Sequence, residues 1–425
     1  MHALLLKNIK SLCGIDESNR LKKSGTEMAE LGTIENAWLL IKDGLIADYG
    51  SMEGVDSPWT IDHSKSVMDH GLSTIDCSGK FVLPCFVDSH THLVFANTRE
   101  DEFVMRIKGK TYEEIAEAGG GILNSAHKLQ LMHEDELFEN ALKRLNEVIA
   151  YGTGAIEIKS GYGLTVDDEL KMLRVIQRLK KVSPIPVKAT FLGAHAFPVA
   201  YRYNHMGYID LIINEMLPAI AEEKLADYMD VFCDQGFFNG KETDLLLTAA
   251  RTYGLKAKIH GNELGYTGGV QTAVKNNALS VDHLEYTGDE EITCLLNSTT
   301  MPVALPGCSF FLGIPYAPFR KMIDAGLAVC LASDYNPGST PNGRMGFVVS
   351  LACTQMKLTP EEAINASTLN GAYALELSKS LGSITKGKLG SVIITKEMPS
   401  LAFMPYSFGV DMVEQTIIKG KVISC

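Results

Sequence analysis

His90 and His92 stand one residue apart in the stretch PCFVDSHTHLVFANTRE, at the end of an apolar run that reads as a strand. Side chains alternate along a strand, so both imidazoles project to one face and Thr91 to the other. Two imidazoles on one side are half of a site for a first-row dication, which takes three or four nitrogen or oxygen ligands. Further donors stand at the ends of other strand-like runs: His260 in LKAKIHGNEL, His283 in ALSVDHLEY and Asp334 in AVCLASDYNPG. Of these, His90, His92, His260 and Asp334 make a set of three histidines and one aspartate that leaves a position for water. An isolated H-x-H pair would equally suit surface or hydrogen-bonded core histidines. Matching donors at corresponding strand ends favour the metal.

Such donors need elements that bring them together. Eight apolar runs can be picked out between residues 84 and 380: CFVDSHTHLV, GAIEIKSGYG, VKATFLGAHA, MDVFCDQGFF, LKAKIHGNEL, ALSVDHLEY, MPVALPG and AVCLASDYNPG. Most are separated by helix-patterned stretches such as DDELKMLRVIQRLKKV and ETDLLLTAARTYG. Strand–helix alternation repeated eight times predicts an α/β fold, a (β/α)8 TIM-like barrel. The C-terminal strand ends of such a barrel converge on one mouth. Seven of the eight runs end in polar or ionisable residues: His90 and His92, Lys159 and Tyr162, His195, Asp234, His260 and Glu263, His283, and Asp334. The seventh run, ending in LPG, offers nothing ionisable. Residues 1–83 and 381–425 have a different texture, of short strands and turns, which predicts a small β-sandwich domain built from both chain termini beside a barrel of residues 84–380.

Composition narrows the function classes. The chain has 425 residues, 46% hydrophobic and 21% charged, which is ordinary globular usage. With 39 basic against 51 acidic side chains the net charge is −12, which argues against nucleic acid or an anionic membrane as a partner. An anionic substrate would then need a local cation. Nine cysteines are scattered singly with no C-x-x-C pair, several inside apolar runs, and so predict buried reduced thiols and a cytoplasmic protein. The N-terminal ALLL is too short for a secretory segment, and no later apolar run reaches spanning length.

The segment FVDSHTHL, the later strand-end histidine, SVDHLEY and ASDYNPG resemble the amidohydrolase superfamily. More narrowly, THLVFANTREDEF, YEEIAEAGGGI, EIKSGYGL, TFLGAHAFP, IHGNELG and SDYNPGS together resemble its imidazolonepropionase family, from about residue 80 to about 375. EIKSGYGL and AGGGI are far more specific than H-x-H. Cys85 and Ser89 stand where that family's pattern commonly has glycine and proline, and neither is a ligand. The resemblance implies one divalent metal ion, zinc or iron, on His90, His92, His260 and Asp334. It also implies hydrolysis of the ring amide of 4-imidazolone-5-propanoate to N-formimino-L-glutamate in histidine degradation, and a homodimer. Arg99, Tyr162, His195 and Glu263 are implied as substrate contacts, with Asn336, Gly338 and Ser339 of DYNPGST against the same ligand.

Ring-amide hydrolysis needs an activated water and a proton relay to the departing nitrogen. His283 and Asp334 are the candidates for the water's proton, with Glu263 placed to act on the ring. His283 could instead support Asp334 by a hydrogen bond, and Glu263 could cap a helix beginning near GGVQ. Arg99 could grip a propionate tail with its planar fork, or pair with Glu100, Asp101 or Glu102 at the surface. Gly119, Gly120 and Gly121 read as a mobile turn, since no phosphate-binding fingerprint surrounds them. Three rivals share this sequence: a mononuclear deaminase of the same superfamily, a dinuclear enzyme bridged by a carboxylated Lys159, and a non-catalytic metal-stabilised scaffold. Lys159 ends the second run rather than the fourth, which speaks against the bridge.

Overall fold

The computed structural model describes residues 3–53, 72–110, 114 and 120–423. Gly119, most of the YEEIAEAGGGI motif and Cys425 lie outside the described residues. The two chain ends build one sheet. Its N-terminal strands are β1 (Ala3–Ile15), β2 (Gly32–Lys42), β3 (Leu45–Ser51), β4 (Leu72–Asp76) and β5 (Phe81–Pro84). Three strands from the other end of the chain complete it, numbered last as β14 (Val392–Thr395), β15 (Val413–Ile418) and β16 (Lys421–Val422). The termini meet at β5, which pairs parallel with β1 and antiparallel with β14. The sheet turns back on itself: Ile46 N–H donates to Lys388 O and Gly390 N–H to Gly44 O, both at 2.8 Å. Leu6, Ile9, Leu12, Leu39, Ile394 and Ile417 are buried between the layers, as alternating strands with one apolar face require. This is the small sandwich expected from the two β-rich ends.

The second sheet is the barrel wall: β6 (Phe86–Asp88), β7 (Thr153–Lys159), β8 (Val187–Ala194), β9 (Tyr228–Cys233), β10 (Lys256–Gly261), β11 (Ser280–His283), β12 (Met301–Ala304) and β13 (Cys330–Leu331). Neighbours follow sequence order and every pair is parallel. All eight predicted runs become barrel strands. The seam between the last and first strands is sewn just beyond their ends, where Asp334 N–H donates to His90 O at 3.0 Å and His92 N–H donates to Tyr335 O at 2.9 Å.

The crossover helices form where the sequence supplies caps and a stripe. In the helix Val166–Val182 the Thr165 hydroxyl accepts from Asp168 N–H, three acids fill the first turn and Lys180 and Lys181 the last. Its Leu170, Leu173, Ile176 and Leu179 bury one face against the wall. Asn239 and Glu242 close a capping box at the start of Gly240–Thr252.

Candidate active site

At the seam the predicted ligands converge. His92 Nε2 lies 3.3 Å from His90 Nε2 and 3.4 Å from His260 Nε2. Asp334 Oδ1 is 3.6 Å from the Nε2 of both His90 and His92. His283 joins His90 and His260 in a second group whose donor atoms all lie within 4.8 Å of one another. All five side chains are buried. Burial holds His90 and His92 far below the usual imidazole range and His260 down at about 3, so these three rings are neutral, the state in which they can ligate.

Carboxylates behind the rings fix their tautomers. His90 Nδ1 lies 2.6 Å from Asp282 Oδ2, and His260 Nδ1 lies 2.9 Å from Asp230 Oδ2. An ionised carboxylate can only accept, so each ring carries its proton on Nδ1 and turns an Nε2 lone pair inward. Lone pairs this close repel one another unless a cation lies among them. The donor set therefore fits a dication.

Beneath the rings the barrel is filled with charge rather than the usual branched apolar side chains. Lys159 Nζ donates to Glu157 Oε1 at 2.8 Å and Asp230 Oδ2 at 2.7 Å. Lys258 Nζ donates to Ser89 O at 2.8 Å and forms a short contact with Glu157 Oε2. Burial works against the Lys159 charge, but Asp230, Glu157 and Asp282 outweigh it and raise the ammonium above its ordinary value. Lys159 was expected at the mouth; it points into the interior instead. A charged ammonium bonded by two carboxylates is not the free amine that carboxylation needs, so the bridging role is removed. Neither Asp230 nor Asp282 was identified from sequence, although Asp282 adjoins the flagged His283 and Asp230 lies on the strand that leads to the flagged Asp234.

Backbone strain sharpens the mouth. His283 (φ 86°), Leu284 (φ 70°), Asn262 (φ 58°) and Asp334 (φ 55°) are non-glycine residues with positive φ, grouped at the ends of β10, β11 and β13. The strand-end turn at Asp334 is held by Asn336, whose Oδ1 accepts from Gly338 N–H and Ser339 N–H, both at 2.8 Å. Asn336 Nδ2 in turn donates to Asp334 O, and the Ser339 hydroxyl reaches Asp334 Oδ2 at 3.2 Å. Asn336 and Ser339 thus set the aspartate as well as lining the cavity.

Glu263 is placed by Asp234, whose Oδ2 accepts from Glu263 N–H at 2.7 Å. It does not cap the next helix, which starts at Gly269 behind Gly268. Its carboxyl faces His283, with Oε2 3.6 Å from Nε2, while Glu285 Oε1 stands 3.7 Å from His283 Nδ1. Burial lowers His283, but Glu263 and Glu285 overcome this and hold it well above the ordinary value. Burial raises Glu263 to about 7 and Asp334 to about 6. The seventh strand does contribute a donor, three residues past Leu305: Cys308 Sγ lies 3.7 Å from Glu263 Oε1.

These groups open onto one cavity of about 800 Å³. Tyr162, His195, Arg99, Asn336, Gly338 and Ser339, all flagged from sequence, line it together with His92, His260, Glu263, His283 and Asp334. His195 Nδ1 lies 2.9 Å from Gly161 O, and its ring stacks on His92 at 5.2 Å. Gly161 has φ 113°, and a Cβ there would come within 2.9 Å of that ring. Arg99 does pair with Glu102, through Nε at 2.8 Å and through Nη2, but the pair is part-buried at the cavity wall rather than on the outer surface. Its Nη1 lies over Gly338, where a Cβ would be 2.2 Å away, so only glycine lets the guanidinium approach the loop. Arg99 is not alone: Arg106 and Lys110 line the same cavity.

A parallel barrel whose strand ends gather three histidines and an aspartate around one point defines a metal-dependent hydrolase of the amidohydrolase type. Residues 81–423 match the amidohydrolase family profile. The chain is 56% identical over 420 residues to the imidazolonepropionase of Christiangramia forsetii, covering 99% of this chain and all of that one. It is 42% identical to that of Clostridium tetani, covering 94% of each. The chain belongs to the amidohydrolase family and, within it, to the imidazolonepropionases. Among solved structures, guanine deaminase from C. acetobutylicum superimposes with a TM-score of 0.69 at 17% identity, covering the full length of both. An atrazine chlorohydrolase from Arthrobacter aurescens complexed with zinc and atraton gives 0.66 at 15%, covering 99% of this chain and 94% of that one. At such identities these two speak for the fold alone. Members of the superfamily use a metal ion.

Proposed function

We propose that this chain hydrolyses the ring amide of 4-imidazolone-5-propanoate to N-formimino-L-glutamate, a step of histidine degradation, with one zinc or iron ion on His90, His92, His260 and Asp334. The observation that carries the reading is the meeting, in one cavity, of His92, His260 and Asp334, with His90 Nε2 3.3 Å behind His92 Nε2, and the Arg99 guanidinium. The relationship to the imidazolonepropionases supports it along the whole chain.

When bound, the dication supplies an acidified water and polarises the ring carbonyl. The chain's own residues do the rest. Arg99 holds the propionate through Nη1, the nitrogen not turned to Glu102. Tyr162 and the neutral His195 wall the ring. Asp334 takes a proton from the attacking water, whose oxygen bonds to the carbonyl carbon. His283, charged between two glutamates, stabilises the oxyanion that develops there. Glu263, poised near neutrality, delivers a proton to the ring nitrogen as its bond to that carbon breaks. His283 thus faces Glu263 and Glu285 rather than serving as a prop for Asp334.

A homodimer and a cytoplasmic setting complete the proposal. The described cysteines are all unpaired, which suits a reducing compartment, and no described helix is long and apolar enough to cross a membrane. The test is a metal-supplemented assay in which imidazolone absorbance disappears as formiminoglutamate forms. Turnover of cytosine in preference to imidazolonepropionate would overturn it in favour of a deaminase. Absence of any hydrolysis from metal-loaded protein would favour a scaffold.

A further inference from the structure

A second group of donors stands beside the four-ligand centre and uses none of its ligands. Glu263, His283 and Cys308 present a carboxylate oxygen, an imidazole nitrogen and a sulfur that all lie within 4.8 Å of one another. They come from the ends of three successive strands, β10, β11 and β12. Glu263 places one oxygen, Oε2, 3.6 Å from His283 Nε2 and the other, Oε1, 3.7 Å from Cys308 Sγ. Tetrahedral zinc with bonds of about 2.0–2.3 Å needs its donors roughly 3.3–3.7 Å apart, so each carboxylate oxygen stands near that spacing from one partner, and a single oxygen serves both within the 4.8 Å bound of the group. Among the described residues it is the one such group that contains a thiol.

We propose that Glu263, His283 and Cys308 form a second, inhibitory dication site selective for a borderline-soft metal such as zinc. The inference rests on the assignment of Glu263 to proton delivery and of His283 to oxyanion stabilisation, since a metal on both would silence the two roles. The surroundings suit a cation. Glu285 Oε1 stands 3.7 Å from His283 Nδ1, beyond hydrogen-bond reach, but its charge favours a proton on that side of the ring and leaves Nε2 to the metal. Ser309 Oγ donates to Glu285 Oε1 at 3.1 Å and holds that carboxylate in place. Glu263 and His283 line the open cavity while Cys308 lies in the wall behind them, so a metal arrives from the substrate side and meets the thiol last. Binding replaces the Cys308 S–H bond with a metal–sulfur bond and releases that proton, together with those on His283 Nε2 and on the Glu263 carboxyl, to solvent. Inhibition should therefore strengthen as pH rises. A hard cation such as magnesium gains nothing from sulfur and should not inhibit.

The experiment titrates the metal-depleted full-length protein with cobalt(II), following thiolate-to-metal charge-transfer absorption, and with zinc, following bound metal and turnover. The expected result is a first equivalent without the band and a second that brings the band and loss of activity. Cys308→Ser, close in size to the native side chain, should abolish the band and weaken the second equivalent by at least about tenfold, as loss of a protein ligand must. Cys308→Ala serves if the serine variant does not fold. A second equivalent that binds without the band, a band that persists in either folded variant, or saturation at one equivalent overturns the site. A band that grows with the first equivalent instead breaks the four-ligand centre and leaves the thiolate site standing.

Discussion

Replacing Asp282 tests whether the buried carboxylates tune the metal centre from behind. Asp282 Oδ2 lies 2.6 Å from His90 Nδ1, and both side chains are fully shielded from solvent. A charge-assisted hydrogen bond of this kind contributes about 1.5–3 kcal/mol. Asparagine keeps an accepting oxygen, and with it the tautomer, but gives up the charge; alanine gives up both. At about 1.4 kcal/mol per factor of ten, Asp282→Asn should weaken metal binding about tenfold and Asp282→Ala about a hundredfold. The fold should survive the asparagine change. Lys159 and Lys258 approach Asp282 only at 3.9 and 3.8 Å, and each retains a closer carboxylate, so neither ammonium is left unpaired. The assay incubates metal-loaded protein with graded chelator and measures retained metal, with thermal unfolding followed by circular dichroism as the control for folding. Wild-type metal retention in both variants, each well folded, would refute the reasoning.

His260→Ala should lose both metal and activity; a full metal complement in the folded variant would strike His260 from the ligand set. Arg99→Ala should raise KM for the anionic substrate with little change in kcat, and an equal rise on an imidazolone lacking the tail would remove the anchor role. His283→Ala should keep its metal yet slow turnover about 10²–10⁴-fold, whereas near-normal kcat would demote it. In the metal-free protein, burial raises Glu263 to about 7, above its ordinary carboxyl value, so the folded chain holds that proton more tightly than the unfolded one. Its contribution to stability is therefore full below the ordinary value and lost as pH rises through about 7. The stability of wild type relative to Glu263→Gln should accordingly fall between pH 5 and 8, roughly the span set by that raised value; a rise, read by denaturant unfolding, would contradict the assignment.

Much of this was readable because barrels put chemistry at strand ends. His90 and His92, His260, and Asp334 mark three such ends by residue type alone; Tyr162, His195, Glu263 and His283 follow from the same rule together with family likeness, and Arg99 from that likeness and the need of an acid tail for a cation. What escaped notice points the other way along the same strands. Glu157, Asp230 and Lys258 sit in apolar-looking runs, where a charged residue reads as a surface position until the inward partner is known. Lys159 misled because a strand end fixes where a residue is, not whether its side chain turns to the mouth or down the axis. Cys308 was hidden because its strand ends in LPG and the donor arrives one turn later, on a helix. The positive φ of His283 and Asp334 could not be read ahead: histidine and aspartate are enriched in left-handed backbone, yet only a few per cent of non-glycine residues adopt it, so residue type alone does not single these two out.

The seam of the barrel has a consequence for how the molecule matures. Across the same seam Ser333 N–H donates to Asp88 Oδ1 at 3.0 Å, and these two residues are 245 apart in the chain. His90 and His92 lie on one lip of that junction and Asp334 on the other, so an ion gripping all three acts as a clasp. The cylinder must wait for its last stave to be synthesised before the clasp can shut. On the proposed ligand set, metal capture follows closure of the barrel, and metal-depleted protein should open first along this line.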